Sequence, residues 1–355
     1  MHIYFIGQRG IPAQQIEDSI EMRTEILADE AANHAHSVTV ASTPSYTKQR
    51  KIRSFAVKIT SLPSLNPTIG GGYVYSALSA IKAVLLQPET IHVQGWGAAC
   101  ITRALLLLLP NTTVVWTISD IPRHIHTKIA AFIASGFDRI IASSRTTQYH
   151  LLSLYSLKSQ YIPDGYTSMQ LPEVRPAIFG LRKEQYGIVF TNNMPQLKQI
   201  YKSYKSLKTN KKLVVFSNKA ISGIQTISLP LLSRSAISLI RQSAFVVMAN
   251  PPYSPAALHA MDAGRMIIAT TNPLHEEIFG TTAEYYEEND SVQLQKLLKK
   301  GIKKHTLNTH AQIRAKNHFQ WEKIGQEYMR TYCHSKAVLV PFDSIVAKNS
   351  FQRAL

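Results

Sequence analysis

The stretch Ser243–Gly280, SAFVVMANPPYSPAALHAMDAGRMIIATTNPLHEEIFG, decides the fold, because it reads as strand, loop, short helix, strand and acidic turn in one compact unit. Ala244 to Met248 is an apolar run of the length expected for a parallel strand buried on both faces. Ser254 and Pro255 then supply an N-cap and a first-turn proline for a helix through Met261, and Gly264 ends it. A short helix opening at the carboxyl end of a strand aims free backbone N–H groups and a partial positive charge into a crevice. That predicts an anion site suited to the phosphates of a nucleotide.

The alternation extends in both directions. Towards the N-terminus it runs HIYFIG, a helix over 18–33, SVTVAS, FAVKIT, a helix over 73–86, TIHVQG, a helix over 98–109, TVVWTIS, a helix over 127–135, DRIIASS, a helix over 146–155 and SQYIPDG. Residues 167–181, with two prolines and no clear period, interrupt it. A second series follows: YGIVFT, a lysine-rich helix, KLVVFS, a short ISLP strand, a helix over 233–242, AFVVMA, the short helix, MIIATT and EYY. Strands separated by helices of this length imply right-handed crossovers and doubly wound parallel sheets. The expected architecture is therefore α/β, with a Rossmann-like domain over 1–168, a linker over 169–181, a second Rossmann-like domain over 182–334 and a tail over 335–355. Ligands are expected in the cleft between the domains, at the carboxyl ends of the strands.

Composition fits two globular domains: 355 residues, 45% hydrophobic and 17% charged. Two cysteines, Cys100 and Cys333, argue against a disulfide framework and for a reducing compartment. Met1 opens directly into a strand without a basic leader, so a cytoplasmic protein is expected. Ala104 to Leu109, bracketed by Arg103 and Pro110, falls far short of the ~20 residues of a membrane span and reads as a core helix. The net charge of +17, from 39 Lys and Arg against 22 Asp and Glu, points to an anionic partner. The candidates are a nucleotide-sugar pyrophosphate, anionic lipid at the inner face of the membrane, and nucleic acid. The last fits worst, because the lysine clusters lack interleaved aromatics or a groove-reading helix. Lys198, Lys202, Lys205 and Lys208 recur around Ile200, Tyr204 and Leu207 as on the solvated face of an amphipathic helix.

The Ser243–Gly280 segment resembles the donor-binding motif of GT-B glycosyltransferases, above all the retaining enzymes of glycosyltransferase family 4. It keeps Ala260-Met261, Ala263-Gly264-Arg265, Ile268-Ala269-Thr270 and Glu277-Ile278 of that pattern. GQRGIPA, Gly7 to Ala13, resembles the opening of a rhamnosyltransferase-like subgroup associated with cell-envelope polysaccharide synthesis. IASSRTTQYHLL, Ile162-Pro163-Asp164-Gly165 and the HFQWEKIGQEYMRTY segment with Trp321, Tyr328 and Tyr332 resemble further family signatures in order. The last three aromatics share one helical face, so packing accounts for them.

The resemblance implies a transfer from a nucleotide diphosphate sugar to a polysaccharide or lipid-linked acceptor. The implied catalytic residues are His259, Ser119 and Asp120. The implied donor-binding residues are Gly10, Asn192, Lys198, Ser254, Pro255, Ala256 and Glu277, and Arg9 and His124 fall on the acceptor side. No metal or other cofactor is implied, because helix dipole and cations oppose the diphosphate charge in this fold. Five places depart from the family pattern. Asp18-Ser19 replaces a Gly-Gly pair, Ser119 a histidine, Asn192 or Asn193 an arginine, and the region of Ser254 and His259 two glutamates. Two readings stay open: a glycosyltransferase, or a catalytically silent protein of the same fold that binds a sugar, a nucleotide or a partner enzyme.

Overall fold

The computed structural model describes residues 1–12, 19–47, 57–64, 71–119, 126–166, 173–191, 193–217, 221–229, 233–249, 257–303 and 307–333. The first half runs β1 (His2–Ile6), α1 (Ser19–Asn33), β2 (Ser37–Ser42), α2 (Pro44–Thr47), β3 (Val57–Ser61), α3 (Gly71–Leu86), β4 (Thr90–Gln94), α4 (Trp96–Leu105), β5 (Thr113–Ile118), α5 (Thr127–Ala134), β6 (Arg139–Ala142), α6 (Arg145–Tyr155) and β7 (Gln160–Tyr161). The second runs β8 (Tyr186–Phe190), α7 (Met194–Lys205), β9 (Lys212–Phe216), β10 (Gln225–Ile227), α8 (Arg234–Gln242), β11 (Phe245–Met248), α9 (Leu258–Asp262), β12 (Met266–Thr270), α10 (Pro273–Phe279), β13 (Glu284–Tyr286), α11 (Ser291–Lys303), α12 (Thr309–His318) and α13 (Trp321–Cys333).

The described strands form two parallel sheets, ordered β3-β2-β1-β4-β5-β6-β7 and β10-β9-β8-β11-β12-β13. Strand order reverses beside β1 in the first and beside β8 in the second. Each reversal splays the flanking loops and opens a crevice at the strands' carboxyl ends. Helices cover both faces of each sheet, as the continuous burial of β4, β8 and β12 requires. In the first lobe, α3, α4, α5 and α6 bury Tyr75, Trp96, Ala130 and Leu151 on one face, while α1 and α13 bury Leu27 and Tyr328 on the other.

The chain crosses between the lobes twice at one point. Tyr166 N–H donates to Phe319 O at 2.8 Å, and Trp321 N–H donates to Tyr166 O at 3.1 Å. The last helix, α13, belongs to the second segment by sequence, yet it packs on the first sheet against Ile3 and Phe5.

Three local expectations change. The leucine run is core only at Leu109, with Leu106 packed against that core: α4 stops at Leu105, a 3-10 turn follows, and Leu107 and Leu108 are 90% and 54% exposed. The acidic turn is the helix α10, because Asn272 caps it by accepting from His275 N–H at 2.8 Å and Pro273 occupies its first turn. The short strand after β9 is Gln225–Ile227 rather than ISLP, since pairing with β9 ends at Ile227. Gly264 does end α9, with φ +66° and its N–H bonded to Met261 O at 2.9 Å.

Candidate functional site

The crevice of the first lobe is floored by the loop after β1. Gly7 and Gly10 have φ of +97° and +143°. A Cβ on Gly7 would stand 1.9 Å from Gln94 O, and one on Gly10 2.1 Å from Ser42 Oγ. Glycine is thus required where this loop presses on the ends of β4 and β2. Arg9, between them, is anchored to the buried carboxylate of Glu21: its N–H and Nε donate to Oε1 at 2.9 and 3.1 Å. Its guanidinium lies 5.8 Å from the Tyr46 ring centre and is half-exposed at the cleft.

Ser119, at the end of β5, accepts a hydrogen bond from Arg23 Nη1 at 2.9 Å. Arg23 is 1% exposed, and its other two donors meet Asp164 in a fork, Nε to Oδ1 at 2.5 Å and Nη2 to Oδ2 at 2.9 Å. Burial is the largest single influence and opposes the guanidinium charge, but Asp164, with Tyr328 and Tyr332 behind it, holds Arg23 charged. His92 lies in the same layer: one ring nitrogen bonds Tyr332 Oη at 2.6 Å and the other Thr117 Oγ1 at 2.7 Å. Burial and then the Arg23 charge push its pKa down to about 3, so it is neutral. Asp164 looks in sequence like a turn residue. Its part in positioning Ser119, and those of Arg23 and His92, are visible only in three dimensions.

In the second lobe, Asn193 caps α7 by accepting from Gln196 N–H at 3.3 Å. One turn further, Lys198 is exposed on the cleft half of that helix. His259 on α9 is buried edge-on to the Tyr166 ring at 5.4 Å between centres. Its Nδ1 has no hydrogen-bond partner among the described residues. Burial, then Arg241, lowers its pKa to about 4, so it offers a neutral imidazole rather than a cation. Nearby, Tyr166 Oη donates to Asp262 Oδ1 at 3.0 Å, and Arg241 pairs with Asp262 Oδ2.

Glu277 bridges the lobes. From the end of α10, its carboxylate accepts the N–H groups of Arg145 at 2.8 Å and Thr146 at 3.2 Å, in the first turn of α6 of the other lobe. These are donors that a helix N-terminus leaves unpaired. Arg145 in turn lies 4.3 Å from the Tyr161 ring centre. Burial raises the Glu277 pKa, against the two N–H groups and the Tyr161 hydroxyl that favour its charged form. His126 caps α5 through a 3.3 Å bond from Lys128 N–H. Asp120, His124, Asn192, Ser254, Pro255 and Ala256 lie outside the described residues.

The structure therefore places Arg9 and Gly10 after β1 and Ser119 after β5, at the carboxyl ends of strands of the first sheet, Lys198 in the first half of α7, and His259 buried beside the crossing at Tyr166. Among the described residues no three His, Cys, Asp or Glu side chains converge as a metal site, and no helix is long and apolar enough to cross a membrane.

No protein-family model matches the chain, and no curated protein matches it in sequence. Solved structures match its architecture, and the chain has the GT-B fold: two Rossmann-like lobes facing across a cleft. Anabaena HepE, in complex with UDP and glucose, is 14% identical with a TM-score of 0.69 over 93% of this chain and 98% of that one. A glycosyltransferase from Rickettsia africae is 14% identical, with a TM-score of 0.67 over 93% and 97% of the two chains. The UDP-GlcNAc 2-epimerase of Methanocaldococcus jannaschii is 12% identical, with a TM-score of 0.60 over 93% and 99%. At such identities the likeness is one of fold, which transferases and an epimerase share.

Proposed function

We propose that the chain is a glycosyltransferase that moves a sugar from a nucleotide diphosphate sugar to a polysaccharide or lipid-linked glycan, with the retention that the family 4 resemblance implies. The observation that carries this reading is the extent of the likeness to HepE, a structure holding UDP and glucose, across 93% of this chain. The second lobe takes the nucleotide in this reading. Lys198, exposed and with no acidic partner among the described residues, opposes the charge that builds on the leaving diphosphate. Ser254, Pro255, Ala256 and Asn192 complete the donor side, while Arg9, Ser119, Asp120 and His124 face the acceptor. His259, a buried neutral imidazole with an unpartnered Nδ1, is assigned to the donor side as a group that orients and does not neutralise the diphosphate.

The test is release of nucleoside diphosphate from UDP, GDP, ADP and dTDP sugars in the presence of glycan acceptors. One donor is expected to turn over, and K198Q to lower kcat/KM by about 10- to 100-fold, the scale of a lost charged contact in the transition state. Binding of a sugar nucleotide without turnover against any acceptor would favour the second reading, a silent binding subunit of a glycan assembly system.

We also propose peripheral contact with anionic membrane through the outer layer of α3 to α6. Tyr73, Leu85, Leu107, Phe132 and Leu154 are exposed there by 57% or more, and Arg103 lies over Phe132 at 4.8 Å. Apolar side chains interspersed with cations match a lipid interface. Sedimentation with vesicles is expected to need anionic lipid and to weaken with salt, and capture indifferent to both would remove the membrane from the account.

A further inference from the structure

The second lobe carries a cavity of about 460 Å³ at the opposite end of its sheet from the cleft. It is lined by Tyr201 and Lys205 at the end of α7, Lys208 and Lys211 in the following turn, and Gly223 and Gln225 at the start of β10. The cleft opens at the other end of the strands. β9 alone, at about 3.3 Å per residue, puts the two sites on the order of 13 Å apart.

The lining is cationic. Lys212 Nζ is spent on Gly180 O at 2.9 Å, but Lys205 and Lys208 have no acidic partner among the described residues. Lysines in the last turn of a helix are commonly there to offset the helix dipole. That accounts for Lys205 on α7, not for Lys208 and Lys211 beyond it. The Lys211 Nζ is buried and makes no hydrogen bond. The carboxylate that acts on it, Glu184, is also held by Arg265 Nη1 at 2.7 Å. That Nζ is covered by protein and lacks an acceptor; a turn of the Lys211 side chain, whose other atoms line the cavity, would bring it to a ligand oxyanion. One wall is less polar. Tyr201 packs on Gly223, where a Cβ would fall 2.0 Å from the tyrosine hydroxyl, so the ring is held in place.

We propose that this cavity is an anion site separate from the cleft, taking a small soluble phosphorylated molecule whose phosphate meets Lys205, Lys208 and Lys211 and whose body lies against Tyr201. The assignment does not depend on the glycosyltransferase reading.

The test is calorimetric titration of the full chain with inorganic pyrophosphate, with UDP present to occupy the cleft. Saturable binding is expected, weakened at least tenfold by K211M and by K208Q and unchanged by K198Q. Lys208 is exposed, so K208Q carries the test should K211M fail to fold. Affinity in K208Q equal to that of the unaltered protein, heats matched by sodium chloride at the same ionic strength, or a loss confined to K198Q would overturn the proposal. Phosphatidylglycerol vesicles distinguish a lipid headgroup from a free anion. Capture that falls in K208Q would assign these lysines to a membrane and overturn the soluble ligand, whereas capture unchanged in K208Q supports it.

Discussion

Arg23 and Asp164 stand 141 positions apart in the chain and meet in a buried two-point ion pair directly beneath Ser119. The pair ties the first helix to the residues that lead out of the first lobe, so it fixes the cleft floor and the start of the crossing together. Removing one partner strands a buried charge, which costs about 3–5 kcal/mol. D164A is expected to lose that much in urea unfolding, and the double variant R23M/D164L to regain most of it. A loss in D164A below about 1 kcal/mol would show that the pair is solvated and not structural.

Acid should destabilise the fold through His92 and His259. Burial, with Arg23 and Arg241 behind it, holds them at about 3 and about 4, whereas an unfolded imidazole titrates near about 6.5. Below that pH the unfolded chain binds protons the folded chain refuses. The stability is therefore full above about pH 6.5 and declines towards the folded values, by up to about 1.4 kcal/mol per pH unit for each histidine. H92Q should flatten the slope by one proton. An unchanged slope between about pH 4 and 6.5 would contradict the neutral, buried assignment.

The Glu277 bridge can be read at single amides. With the carboxylate removed in E277A, the N–H groups of Arg145 and Thr146 lose their acceptor. Hydrogen exchange there should accelerate about five- to tenfold, the equivalent of roughly 1 kcal/mol, while amides of β11 and β12 stay protected. Exchange at Arg145 and Thr146 that matches the unaltered protein would mean the lobes are not joined there in solution.

The Gly7 loop makes a steric prediction. G7A forces a Cβ to within 1.9 Å of Gln94 O in a backbone with φ +97°, and should cost about 2–4 kcal/mol. Gly72 has nothing within 4 Å of its virtual Cβ, so G72A should show no loss. Equal melting temperatures for the two variants would contradict the packing of this loop.

The doubly wound architecture was legible because its signals are local. Runs such as AFVVMA and MIIATT announce buried strands, and Gly264 punctuates α9 where a left-handed residue is needed. The leucine run misled, since apolar composition does not say where a helix ends, and α4 stops one residue into it. LHEEIF reads as a turn by its acidic pair, yet it lies in a helix whose cap is Asn272 and whose first residue is Pro273. The site was less legible still. Asp164 in IPDG reads as a turn former until Arg23 arrives from α1. Glu277 reads as a donor contact, and its hold on two N–H groups of α6 in the other lobe goes unannounced by its motif. Both roles depend on long-range docking that no short motif encodes.

The central claim, a nucleotide-sugar site in the cleft, is tested most directly by calorimetric titration of the purified chain with UDP, GDP, ADP, dTDP and their sugars. The account expects one nucleotide to bind with its sugar form, to raise the melting temperature, and to lose affinity in K198Q but not in K208Q. Absence of binding across the panel at millimolar ligand, from protein shown to be folded, would contradict it.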